Sequence, residues 1–363
     1  SIHKMGQLAP EFIETILAID RAGFDCDYIS DRLLMGTTFR DGMIQTAAGT
    51  RYKGLVIPEC RMMPESVKAH IEQLKAQRAH IIIGTRAADL QTAARPEAIK
   101  TKCGLKAIRR RNDSGYHYFI ANLSPRDIKD RLPLSVAFRS AAWFNPLNGD
   151  ITPASVYGDS IDICLRSGES MILVLRKEES EKWKENTSAS DISPLSSKTL
   201  DGPWTLSFID EAPKVNKTFT LDHTQTWESL DDDSVKVMMG TGVYTTHVRL
   251  SKAEAKGHWQ IDLGDVRESA RVYINGQFIG CAWSVPFVLD CRKALKAGDN
   301  EIRIEVTNLP ANRIADYDRR GIKWRKMEEI NVVDINYHRT TYDQWAPVPS
   351  GLNSPVSLVL SSP

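Results

Sequence analysis

The sequence has 363 residues, 42% hydrophobic and 26% charged, which is the balance of a folded globular protein of two or three domains and excludes a disordered or fibrous chain. Lys and Arg number 47 against 46 Asp and Glu, so no global positive field exists to hold nucleic acid or an anionic membrane. No apolar run approaches the ~20 residues needed to cross a bilayer, and membrane insertion is not expected.

The chain opens Ser1-Ile2-His3-Lys4, with neither an initiator Met nor an apolar signal segment, and this predicts a processed chain or a piece of a longer one. Cys26, Cys60, Cys103, Cys164, Cys281 and Cys291 are scattered without a CxxC or Cys/His cluster, so neither a zinc site nor a dense disulfide framework is expected. Cys281 and Cys291 fall on adjacent predicted strands, yet spacing alone does not satisfy disulfide geometry.

Along 10–22, Phe12, Ile13, Ile16, Leu17 and Ile19 form one helical face, with Pro10 suited to a first turn and Gly23 to a stop. Short strands are predicted at 27–29 and 43–46, and the apolar run 54–57 suits a buried parallel strand. Pro64 opens a second helix with Val67, Ile71 and Leu74 at i, i+4 and i+7. The chain returns as Ile81-Ile82-Ile83-Gly84, completing a β-α-β unit. Residues 1–105 are therefore read as a flavodoxin-like α/β domain.

Strand-like segments at 116–123, 134–138, 160–165 and 171–175, with a turn at 145–150, make 106–180 a small antiparallel β-sandwich. The charged, Ser-rich stretch 181–199 has the composition of a linker. Within 200–363, eight short strands are predicted, and Asn275-Gly276 is a strong hairpin signal because both residues tolerate positive φ. A β jelly roll follows, and the fold class is α/β plus all-β.

The long segment before the last strand collects the candidate chemistry. Asp316, Asp318, Glu328, Glu329, Asp334 and Asp343 lie there. Glycoside hydrolysis uses two carboxylates about 5–5.5 or 6.5–9.5 Å apart, but no pattern supplies such a pair, and isolated acidic residues read equally as solvated loop groups. Trp324, Tyr337, Tyr342 and Trp345 offer flat apolar faces for a sugar ring, beside Asn308, Asn312, Arg313 and Asp316, which can bond hydroxyls. The same aromatics suit the closed end of a sandwich or a domain interface.

Trp283 suits core or interface. Cys60 follows the buried strand and precedes a helix, with His70 and His80 as nearby bases in sequence, but the glycines of a nucleophile elbow are absent. Ile83-Gly84-Thr85 has neither dinucleotide nor P-loop spacing. Asp231-Asp232-Asp233 lacks the rest of a calcium loop, so no cofactor is expected from a motif, calcium remaining an open alternative.

Several phrases resemble glycoside hydrolase family 106, the bacterial α-L-rhamnosidases. Gln7-Leu8-Ala9-Pro10-Glu11-Phe12, Phe24-Asp25-Cys26-Asp27-Tyr28-Ile29, Leu55-Val56-Ile57-Pro58-Glu59 and Met63-Pro64-Glu65-Ser66 look like the α/β domain that follows its catalytic barrel. Phe119-Ile120-Ala121-Asn122-Leu123-Ser124 and Ser167-Gly168-Glu169-Ser170 look like its small sandwich. Gly202-Pro203-Trp204, Leu263-Gly264-Asp265-Val266, Val272-Tyr273-Ile274-Asn275-Gly276, Gly298-Asp299-Asn300-Glu301 and Val306-Thr307-Asn308-Leu309 with Asn312-Arg313 are similar to the galactose-binding-like jelly roll shared with family 2 glycosidases.

The resemblance implies a C-terminal accessory region whose catalytic carboxylates reside in a preceding barrel, so no catalytic residue is assigned here. It implies carbohydrate and that barrel as partners, and a periplasmic or extracellular location. The candidate carbohydrate contacts are Asn308, Asn312, Arg313, Asp316, Trp324, Tyr342 and Trp345. A self-contained glycosidase using carboxylates in 316–343, and a hydrolase with a Cys60 nucleophile, are the alternatives.

Overall fold

The computed structural model describes residues 10–60, 62–180, 183, 196–326 and 340–361. The chain divides into two compact units, 1–189 and 190–363.

In the first unit, α1 (Pro10–Arg21) starts on the predicted proline. Gly23, at φ +89°, ends it: its N–H meets the Asp20 carbonyl and the Phe24 N–H reaches the Ile19 carbonyl. Of the predicted apolar face, Ile19 alone is fully buried, and Leu17 is exposed.

After α2 (Asp31–Leu34), β1 (Thr38–Arg40), β2 (Met43–Gln45) and β3 (Arg51–Tyr52) form an antiparallel sheet. β4 (Leu55–Ile57) pairs in parallel with β5 (Ile81–Ile83) through α3 (Glu65–Ala76), whose Val67, Ile71 and Leu74 are buried as their period predicts. Short helices α4 (Ala87–Ala93) and α5 (Ala98–Thr101) follow.

Of a flavodoxin-like layer, the described residues thus contain this single β-α-β unit. No strand forms at 27–29. The strand predicted at 43–46 belongs to a hairpin, because Asp41 and Gly42, at φ 50° and 73°, turn the chain straight back and pair Arg40 with Met43.

The first sandwich contains β6 (Lys106–Arg111), β7 (Gly115–Ala121), β8 (Ile128–Pro133), β9 (Ser140–Phe144), β10 (Ile151–Pro153), β11 (Val156–Tyr157), β12 (Ser160–Leu165) and β13 (Ser170–Arg176). Its sheets run β10-β9-β13-β7-β6 and β11-β12-β8. Tyr118, Ile120, Leu132, Ile161, Ile163, Leu173 and Leu175 fill the core.

The segment predicted as a strand at 134–138 is irregular. The strand lies at β8 instead, where Lys129, Asp130 and Arg131 face solvent and mask the apolar signal of Leu132. Ile99 and Leu105 share this core, so the sandwich recruits residues ahead of position 106. Glu97 fastens the join, accepting from Arg109, Ser135 and the Tyr118 hydroxyl.

The second unit contains β14 (Ser196–Thr199), β15 (Trp204–Ala212), β16 (Phe219–Leu221), α6 (Asp233–Lys236), β17 (Met239–Leu250), β18 (His258–Asp262), β19 (Val266–Arg267), β20 (Ser269–Ile274), β21 (Gln277–Ala282), β22 (Val288–Asp290) and β23 (Gly298–Thr307). Then come α7 (Ala311–Arg319), β24 (Gly351–Leu352) and β25 (Ser357–Ser361). The main sheets run β16-β15-β17-β23-β20-β21 and β14-β25-β18-β22.

Trp204, Leu206, Tyr244, Val272 and Ile304 from one sheet meet Trp259, Ile261 and Leu358 from the other in a single core, making a β-sandwich. The Asn275-Gly276 turn forms as predicted, with φ 53° and 79°. β14 lies inside the stretch read as linker and pairs with β25, and its Lys198 side chain donates to the Arg249 carbonyl at 3.0 Å. Among the described residues, no helix is long and apolar enough to cross a membrane.

Candidate functional site

Four polar clasps position residues 348–352, which lead into and include β24. Asn308 accepts the Gly240 N–H at 3.0 Å and donates to the Met238 carbonyl at 3.1 Å and to Ser350 Oγ at 3.2 Å. Asn312 is buried; it donates to Glu228 Oε1 at 2.9 Å and to the Val348 carbonyl, and accepts the Val348 N–H, both at 2.8 Å. The second oxygen of Glu228 accepts the Ser350 N–H at 3.0 Å.

The fourth clasp lies behind these. Buried Trp227 donates its indole N–H to the Tyr244 hydroxyl at 2.7 Å, and the same hydroxyl accepts the Leu352 N–H at 3.2 Å. Gly351, at φ +94°, lies so close that a Cβ would sit 2.4 Å from the Trp227 indole nitrogen. Two of the predicted sugar ligands, Asn308 and Asn312, therefore have their amides bonded to this chain.

The remaining five gather around α7. Arg313 pairs with Asp316 at 3.0 Å and stacks over the Tyr317 ring at 4.4 Å, and Asp316 also accepts from Arg320 at 3.3 Å. The buried Nε of Arg313 has no bonding partner among the described residues. Asp318 ties the aromatics together: it accepts the Tyr342 N–H at 2.8 Å and the Trp324 indole N–H at 2.7 Å. These two bonds, the Tyr342 backbone bond first, hold the Asp318 carboxyl below the ordinary carboxylate range.

Trp324 and Tyr342 have ring centroids 6.3 Å apart, and Tyr342 and Trp345 4.4 Å apart. Arg319 fixes the turn at 343–345 through the Asp343 and Trp345 carbonyls. Arg325 lies over both Trp324 and Tyr342, at 5.1 and 5.5 Å. Trp345 is 48% exposed.

The result is a partly open aromatic surface with fixed ring angles and guanidinium groups at its border, suited to an apolar ring face with polar substituents. Sequence reasoning passed over Glu228, Arg319 and Arg325. The closeness of Arg325 to Trp324 in sequence was the one available signal for any of them.

Two carboxyls, Asp318 and Asp343, lie below the ordinary carboxylate range. The Gln344 and Thr341 side chains lower Asp343, as the two bonds lower Asp318, whereas a general acid requires an upward shift. Glu328, Glu329, Asp334 and Tyr337 lie outside the described residues. Cys60 is exposed, and His70 Nε2 is bonded to Thr37 Oγ1 at 3.1 Å.

Cys281 is exposed and free, while burial pushes the free Cys291 thiol up to about 12. Trp283 is exposed, so it is not core. Asp232 caps α6 through the Ser234 and Val235 N–H groups, and Asp233 pairs with Lys236. A hollow of about 420 Å³ between Lys198, Glu254, Trp259 and Leu360 contains none of the predicted site residues.

Residues 227–348 match the family described as "Glycosyl hydrolase 2 galactose-binding domain-like". A putative beta-glucuronidase of Formosa agariphila is 29% identical over 177 residues, 44% of this chain and 15% of that protein. The solved rhamnosidase of Novosphingobium sp. PP1Y matches the fold with TM-score 0.68 at 20% identity, over 93% of this chain and 36% of that one. The chain thus spans well under half the length of either. These likenesses give this β-rich chain, with its galactose-binding-like stretch at 227–348, a glycoside hydrolase context.

Proposed function

We propose that this chain is a non-catalytic, C-terminal accessory region of a bacterial glycoside hydrolase of the family 106, α-L-rhamnosidase type. It braces a preceding catalytic barrel in the periplasm or outside the cell, its first domain is a reduced flavodoxin-like one, and the Trp324, Tyr342 and Trp345 surface contacts carbohydrate. No cofactor is assigned to these residues. The observation that carries the reading is the fold match, which runs through nearly all of this chain while occupying 36% of the rhamnosidase. Neither Asp318 nor Asp343 has the upward shift of a general acid.

The test has two arms. The 363-residue chain is expected to release no aryl alcohol from aryl α-L-rhamnoside; turnover abolished by Asp316→Asn or Asp343→Asn overturns the assignment. In the second arm, tryptophan fluorescence is followed during titration with rhamnose-containing oligosaccharides. A saturable change that Trp345→Ala removes supports the contact, and no response at millimolar sugar rejects it.

A further inference from the structure

The large sheet of the first sandwich is apolar on both faces. Tyr118, Ile120, Leu173 and Leu175 point into the core, so their neighbours point outward. In register across five strands, those neighbours are Ile151 on β10, Phe144 on β9, Ile172 on β13, Phe119 on β7 and Ile108 on β6. At ~4.8 Å per strand the row runs roughly 19 Å.

Ile151, Phe119 and Ile108 are 58%, 45% and 54% exposed, and the next row reads Pro153, Ala142, Val174, His117 and Arg110, apolar at one end and basic at the other, with Ala142 already buried. Antiparallel sheets with one wet face alternate apolar inward and polar outward. Here the first outward row keeps the apolar character of a covered face. The charged outward positions are Lys106, Arg110 and Arg176, with no carboxylate among them, although Lys106 also reaches Asp20 at 2.6 Å.

We propose that this outer face is the seat of the catalytic body of the parent hydrolase, which presents to it an apolar patch bordered by Asp and Glu. The inference rests on the accessory-region reading above. It is supported by the cations Arg110 and Arg176, set beside the apolar row with no carboxylate at the outward strand positions, and by the length of chain that the similar rhamnosidase carries beyond this fold. The occupant is thus a folded body of opposite border charge.

The test compares the full-length parent with the 363-residue chain, each carrying Phe119→Cys, by peptide-resolved maleimide labelling with exposed Cys26 as internal reference. Position 119 is expected to label at least tenfold more slowly in the parent. Phe119→Asp is expected to shift the parent toward protease sensitivity while leaving the 363-residue chain's elution and melting unchanged.

Equal labelling in both proteins overturns the inference and leaves the accessory reading intact. Concentration-dependent protection of position 119 in the short chain alone would identify a second copy as the occupant and also overturn it. A coding sequence with no hydrolase body removes both at once, and sequencing reveals that before any labelling.

Discussion

Across the five-stranded sheet of the first unit the outer row reads Ile151, Phe144, Ile172, Phe119 and Ile108. Across the six-stranded sheet of the second it reads Thr220, Thr205, Thr245, Arg303, Tyr273 and Phe278. Both sheets bury an aliphatic and aromatic inner face, so their interiors obey one rule. Outside they diverge. In the second unit Arg303 lies over the Tyr273 ring at 5.2 Å and pairs with Glu305, and threonines occupy the β16, β15 and β17 positions, which leaves Phe278 as the exposed apolar end of the row. Among the described residues, the first unit sets Ile151, Phe119 and Ile108, each about half exposed, in one unbroken apolar row, whereas the second interrupts its row with threonines and an arginine.

Gly351→Ala perturbs the second unit most severely. Overlap with Trp227 and Tyr244, added to a left-handed backbone, is expected to cost about 2–6 kcal/mol. Hydrogen exchange resolved by peptide should show the second unit loosened and the first unchanged; loosening of both would mean the units do not stand apart. Leu173→Ala, beside outward Ile172, should cost about 2–5 kcal/mol in denaturant unfolding.

Tyr244→Phe strands the Trp227 and Leu352 N–H groups and is expected to lower stability by about 1–3 kcal/mol. Acid supplies a finer test. The Asp318 carboxyl lies below its ordinary 3.8, so its contribution is present above that pH and fades as pH falls through the lowered value. Tryptophan emission of the 363-residue chain should change below about pH 3.8, the Asp318 share of that change being absent in Asp318→Asn. Smallest of all, Phe119→Ala should shift the stability of this chain by within about 0.5 kcal/mol, and a loss comparable to Leu173→Ala would erase the contrast between the faces.

Local signals read truly wherever a single element decided the outcome. Val67, Ile71 and Leu74 announced α3, and Asn275-Gly276 announced its hairpin, because period and positive φ are properties of a few adjacent residues. The Asp41-Gly42 turn carried the same information and was passed over, which is why a parallel layer was expected around β2. Asn308 and Asn312 were legible as polar residues at a promising place, but their partners were not. Asn312 meets Glu228 from 84 positions away, and no spacing rule encodes such a meeting. Trp324, Tyr342 and Trp345 did come together, since Asp318 lies close enough in sequence to the first and bonds the backbone of the second.

The borders of the first unit's apolar sheet tell a different story from its middle. β6, at one margin, sets Lys106 and Arg110 on either side of Ile108, and β10, at the other, ends in Pro153, which has no N–H to offer an incoming strand. Repulsion between like charges and a missing donor thus discourage copies of the chain from adding sideways into a continuous ladder. A surface this greasy, left bare during synthesis or after cleavage, would otherwise be a nucleus for fibrous aggregates; guarded at both margins, it accepts company only face-on.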